Sequence, residues 1–168
     1  PLETLADGGD NGERLAQADD QGTVSGTASG GAAIAPGGSE TVAVESPAAD
    51  VADQRLTIVS MLVNTNDAIA AIKGVHLSAL DAGESVTVTG GSYDSGTEAN
   101  TETADTMPGP AASGGAREGF NAVRDDIRDA VHAHQGVVTA DDGLAGSVLD
   151  AAHRWDNPVV RVTITRVQ

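Results

Sequence analysis

The run Val159 to Val167 (VVRVTITRV) constrains the fold more than any other stretch of the chain. Val160, Val162 and Ile164 fall on one side of an extended backbone and Arg161, Thr163 and Thr165 on the other. That period of two is the signature of a strand with one face buried. Two further runs share its chemistry. Arg55 to Asn64 (RLTIVSMLVN) is the strongest apolar stretch, and its β-branched content predicts a buried central strand. Ser85 to Thr89 (SVTVT) alternates after a turn at Asp81, Ala82 and Gly83. Trp155, Tyr93 and Phe120 are the only aromatic residues, so any core is built from Val, Ile, Leu and Ala.

Between these runs the pattern is weaker. Residues 1–20 predict two short helical turns, because Gly8 and Gly9 separate Leu2, Leu5 and Ala6 from Leu15 and Ala16. Residues 21–39 suit a loop or weak strand. Thr41 to Glu45 (TVAVE) alternates and is predicted as a strand, with Val75 to Leu80 a fainter one. A long polar connection, SYDSGTEANTETADTMPGPAASGG, follows the SVTVT run; connections of that length are usually functional or mobile. Phe120, Val123, Ile127 and Val131 stand at helical spacing within Glu118 to His134; the competing reading is a strand starting at Phe120 with a turn at Asp125 and Asp126. Leu144 to Trp155 has room for another helical turn. The expected class is mostly β, a single domain over 1–168 forming an antiparallel β-sandwich with short helices in the connections.

The 168 residues suffice for one sizeable core, but Asp plus Glu number 25 against 9 Lys plus Arg, a formal charge of -16. The single lysine is Lys73. Such a field repels nucleic acid and anionic membranes, which makes both poor partners. High charge with few aromatics also opposes collapse, although the regular apolar runs argue against disorder for most of the length. Adaptation to high salt accounts for the acidity better than a dedicated cation store, since a Debye length of about 3 Å at molar salt removes most self-repulsion. No cysteine is present, and no run approaches the length of a membrane-spanning helix. The chain begins at Pro1 without an initiator Met, which points to a processed or cropped N-terminus, a removed signal peptide being one cause.

Covalent catalysis finds little support. There is no cysteine nucleophile and no GxSxG elbow. His132 and His134, two apart, would share a face on a strand as metal ligands do, and would point apart on a helix, where solvent-facing side chains are the plainer reading. Asp125 with Asp126 and Asp141 with Asp142 are adjacent, so on a strand they face apart and form no glycosidase pair. Calcium fits better, because it takes six to eight oxygen ligands, usually from loops. Asn64, Thr65, Asn66 and Asp67 supply such oxygens after one strand, and Asp94, Ser95, Gly96, Thr97, Glu98 and Asn100 after another. Neither segment matches an EF-hand loop, and Asx turns with solvated acids would use the same residues.

The order of segments resembles spondin-type domains. PLETLADGGD is similar to their "LAExGD" stretch and RLTIVSMLVNTNDAI to their strand followed by S/T-N-D. SYDSGTEANTE is similar to "DAGTExNxE", and WDNPVVRVTITRV to the closing strand of prokaryotic members. The resemblance covers nearly all of the chain. It implies an extracellular antiparallel sandwich that binds calcium at one end, with Asn66, Asp67, Asp94, Thr97 and Glu98 as the ligand candidates. Two departures stand out. The family's first strands precede the "LAExGD" block with which this chain starts, so either the sequence is cropped or an N-terminal strand is missing or supplied by a neighbour, and the family's His-containing stretch after the long loop is here EGFNAVRDDIRDAV. The expectation is therefore a non-enzymatic, calcium-stabilised binding or adhesion domain, secreted or on the surface of a halophilic microbe. Its partners would be calcium, other copies of itself or surface proteins. The rival expectation is a subunit of an extracellular filament joined by donor-strand exchange.

Overall fold

A computed structural model of the chain describes residues 1–46, 53–112, 121 and 130–167. Two short helices come first. In α1 (Leu2–Gly8) the side chains of Leu5, Ala6 and Asp7 are buried, and the helix stops at Gly9, whose left-handed backbone (φ 73°) brings its N–H to the Leu5 carbonyl. α2 (Gly12–Asp19) buries nothing. α1 packs on the first two strands, which carries Asp7 towards their ends.

Five strands follow: β1 (Arg55–Met61), β2 (Ala68–His76), β3 (Ser85–Asp94), β4 (His132–Ala133) and β5 (Val160–Thr165). All pairings are antiparallel. β2 lies between β1 and β3, with Met61 opposite Ile69 and a register shift between Leu56 and Ile58. β3 is shared. Its first half pairs with β5, from Ser85↔Thr165 to Gly90↔Val160, and its second half pairs with β2 (Ala68↔Asp94 to Ala71↔Gly91) and β4 (Asp94↔His132). The result is one sheet curled into a half-barrel with two short helices. Inside the curl lie Val86, Val88, Val162 and Ile164; outside, Ser85 and Thr165 hydroxyls meet at 2.7 Å and those of Thr87 and Thr163 at 3.1 Å.

The mostly β, antiparallel expectation holds, with corrections in detail. The strongest apolar run is not central: β1 lies at the end of the strand order and is half-buried, whereas β2 is the buried strand through Ala68, Ile69, Ala70 and Ile72. Small side chains let neighbouring backbones close over β2, so burial there carries no strong apolar signal in sequence. The weak strand placed at Val75 to Leu80 starts earlier, at Ala68. Thr41 to Glu45, predicted as a strand, forms none: it has no regular secondary structure and pairs with no described strand. Most of the stretch read as a helix over Glu118 to His134, with Phe120, Asp125 and Asp126, lies outside the described residues; its described end is not helical but strand β4. A single 3-10 turn, Ala151–His153, occupies the Leu144 to Trp155 stretch. Among the described residues no helix is long and apolar enough to cross a membrane.

The apolar core is modest: Leu5, Ala6, four residues of β2, Leu80, Met107, Ala112 and Leu149. At the end of the sheet where β2 begins and β3 ends, the interior is instead polar. Asp7, Asn66, Asp67, Asp94 and Glu98 are each no more than 1% exposed there.

Candidate metal centre

The register places this polar end. Ala68 opens β2 opposite Asp94, the last residue of β3, so Asp67 and Asp94 arrive at the same edge of the sheet. The loop after β3 then folds around both carboxylates. Asp67 Oδ2 accepts the Thr97 N–H at 2.8 Å and the Glu98 N–H at 3.1 Å, with Thr97 Oγ1 at 3.2 Å. Asp94 Oδ1 accepts the Gly96 N–H at 2.9 Å, and its Oδ2 accepts from Asn100 Nδ2 at 2.6 Å. α1 closes the cluster, since Asp7 Oδ1 accepts the Thr97 hydroxyl at 2.8 Å. Gly96 has φ +69°, and a Cβ there would stand 2.7 Å from the Ala130 carbonyl oxygen, so only glycine lets the chain before β4 approach this closely.

β4 brings two imidazoles to the same side. His132 Nε2 is 3.7 Å from Asp94 Oδ2. His134 is buried, correcting the solvent-facing reading, and its ring rests on Trp155 with centroids 5.3 Å apart. His134 Nδ1 accepts the Gly136 N–H at 2.9 Å, which puts the proton of the neutral ring on Nε2. That nitrogen is a donor directed into the interior and not a metal ligand. Burial lowers its basicity, opposed by the charges of Asp94 and Asp67, with His132 adding to the lowering.

The decisive atom is Asp67 Oδ1. It is buried and has no hydrogen-bond partner, as is His134 Nε2. Burial raises the Asp67 carboxyl above the ordinary carboxylate range; the N–H groups of Thr97 and Glu98 hold it down, and the neighbouring charge of Asp94 pushes it up. Among the described residues no Lys or Arg lies within ion-pair distance of Asp67 or Asp94. A buried carboxylate oxygen with neither donor nor cation costs about 1–3 kcal/mol or more. The oxygens gathered here belong to carboxylates and a hydroxyl, groups of the kind a hard cation takes. Among the described residues no three His, Asp or Glu side chains converge as a finished coordination shell, so backbone oxygens and a small closing movement would have to complete one.

Of the five residues singled out from sequence, Asp67, Asp94 and Thr97 meet here. Glu98 contributes its N–H to Asp67, and its side chain is fully buried. Asn66 serves the next loop instead: its Oδ1 accepts the Glu102 N–H at 3.0 Å and its Nδ2 donates to the Thr106 carbonyl at 3.2 Å. Asp7 was not foreseen, and His134, weighed with His132 as a metal ligand on a strand, is buried here with its Nε2 as a donor. Asp7 sits in the LADGGD block beside the buried Leu5 and Ala6, but one turn of helix gives no periodicity that would single it out.

A further buried carboxylate organises the following loops. Glu102, at φ 51°, accepts the Val138 N–H on both oxygens at 3.0 Å, and its carbonyl accepts the Val148 N–H at 2.9 Å. Glu102→Ala is expected to lower stability by about 1–3 kcal/mol by orphaning the Val138 N–H, read from urea unfolding midpoints. Burial raises the Glu102 carboxyl as well, and Val138 and Ser147 oppose it. Two carboxyls with raised folded values bind protons more tightly in the folded chain than in the unfolded one. In chelator, stability should therefore fall as pH rises from the ordinary carboxyl value through those raised values. Asp142, pushed down to about 2 by the Thr139 N–H and by Arg154, has the opposite sign and loses its contribution only in strong acid. Melting curves between about pH 4 and about pH 8 check this, and added calcium should reverse the slope.

Comparison with protein-family models, with curated proteins and with solved structures returned no match.

Proposed function

We propose that this chain is a calcium-stabilised binding domain of a secreted or surface-attached protein, a spondin-like β-sandwich with its ion at the Asp67–Asp94 end. The observation that carries the reading is the partnerless, fully buried Asp67 Oδ1 beside a second buried carboxylate. Asp67 and Asp94 would hold the ion, with Thr97, Glu98 and Asp7 close by and loop carbonyls filling the shell. Bound calcium would supply the positive charge these desolvated carboxylates lack and would lock α1, the loop after β3 and β4 together. The oxygen-only donor set and its irregular loops favour calcium over magnesium, which demands near-octahedral geometry and keeps its waters. The curled sheet supports the sandwich reading as one wall of it. The formal charge of -16 suits a protein exposed to high external salt.

Trp155 is the one tryptophan and touches His134, so it reports on the centre. Titrating chelated protein with calcium in molar NaCl should change Trp155 fluorescence in a saturable step, with a much weaker response to magnesium. A flat signal at millimolar calcium, or an equal response to both ions, would count against the reading.

A further inference from the structure

We infer that the segment Thr41–Glu45 of one copy adds as an antiparallel strand to the outer edge of β5 in a second copy. The donor segment forms no strand of its own and exposes all five residues, Val42 at 49% and Val44 at 44%, with Val44 and Glu45 resting on Gly26 of the same chain. Its sequence alternates as a strand's does, yet both valines face solvent and it has no strand partner among the described residues. On the receiving side, β5 pairs only with β3 among the described strands. The Arg166 N–H bonds to the Glu84 carbonyl, so along β5 the backbone groups of Arg161, Thr163 and Thr165 point away from β3 and, among the described residues, form a bare edge.

One register satisfies both strands. With Val44 opposite Val162 and Val42 opposite Ile164, the valines extend the half-buried stripe of Val160, Val162 and Ile164. The same register sets Glu45 against Arg161, the one basic residue within β5, and Thr41 against Thr165, continuing the hydroxyl rungs already present between β3 and β5. A shift of one residue turns the valines onto the polar face. A shift of two puts Glu40 against Ile164 in one direction and Val42 against Arg166 in the other. β1 also lies at the end of the strand order but is the poorer acceptor, because Ile58 and Val59 break its alternation and α1 packs on it.

Donor and acceptor are different surfaces, so each copy gives and receives, and the contact propagates head to tail. Two chains of formal charge -16 repel at low salt, so assembly should strengthen towards molar salt even though one contact is an ion pair. The inference does not depend on the cation reading, and chelator should leave the assembly in place.

Sedimentation velocity in molar NaCl tests it. The expected result is a concentration-dependent ladder of masses above the monomer. Arg161→Glu should weaken association about tenfold or more by setting like charges face to face, and Glu45→Arg added to Arg161→Glu should restore it. The chain has no cysteine, so mixing a Val44→Cys variant with a Val162→Cys variant under mild oxidation should give the mixed disulfide dimer, the two positions being directly opposed. A monomer at every concentration and salt, or association indifferent to Arg161→Glu with no mixed disulfide, would overturn the inference.

Discussion

Asp67→Asn is expected to leave the calcium-free protein as stable as the parent or slightly more so, while abolishing its stabilisation by calcium. The two effects separate because of what each carboxylate oxygen does. Oδ2 accepts the N–H groups of Thr97 and Glu98, and an asparagine oxygen keeps those bonds. Oδ1 has no partner, and replacing it with NH2 removes a desolvated charge that the calcium-free protein does not use. With calcium at about a hundred times its dissociation constant, the parent gains about 2.7 kcal/mol. For a chain of this size that is a rise of about 5–11 °C in melting temperature. The variant should show almost none of it. Asp67→Ala differs in kind: it strands two buried N–H donors and should cost about 2–4 kcal/mol even in chelator. Calorimetric melts of the three proteins, each with chelator and with calcium, check the pattern.

Gly90→Val is expected to destroy the fold or lower the melting temperature by more than about 10 °C. Gly90 is where β3 leaves β2 and joins β5. A Cβ there would lie 2.7 Å from the Ala71 carbonyl oxygen, 2.7 Å from Ile72 Cγ1 and 2.8 Å from Val160 Cγ1. The first is backbone, and the other two belong to strands on opposite sides, so no single movement relieves all three contacts. Gly91→Ala is the control: its nearest neighbour would be Asn157 Oδ1 at 3.4 Å, an ordinary contact. Circular dichroism melts should show Gly91→Ala close to the parent and Gly90→Val far below it.

The contrast between these two glycines shows where sequence reading stops. β5 and the first half of β3 are legible from alternation alone, because each has one wet and one dry face. The two short helices are legible because Gly8 and Gly9 interrupt the apolar spacing. β1 misleads: a run of large apolar residues looks central, yet the strand that closes under its neighbours is β2, built on alanines. Thr41 to Glu45 has a strand's pattern and no partner within the chain's described strands, since pairing is a tertiary fact that local pattern does not contain.

The candidate centre was legible as chemistry and partly as place. Asp67 and Asp94 each follow or end an apolar run, and carboxylates at strand ends invite a cation. That the two meet depends on Ala68 pairing with Asp94, a register invisible in a single strand. Asn66 is chemically as good a ligand as its neighbour, but the next loop takes both ends of its amide. Asp7 comes from a helix 60 residues away in sequence from Asp67, and His134 follows a strand of only two residues, too short to carry a period.

Isothermal titration of the chelated chain with calcium in molar NaCl, beside Asp67→Asn, measures the ion directly. Screening at that ionic strength suppresses diffuse binding to the acidic surface and leaves a built site intact. One calcium per chain is expected in the parent and none in the variant. Weak binding of several ions with the same isotherm in both proteins would show that the acidic surface attracts calcium and that the buried carboxylates at Asp67 and Asp94 do not hold it.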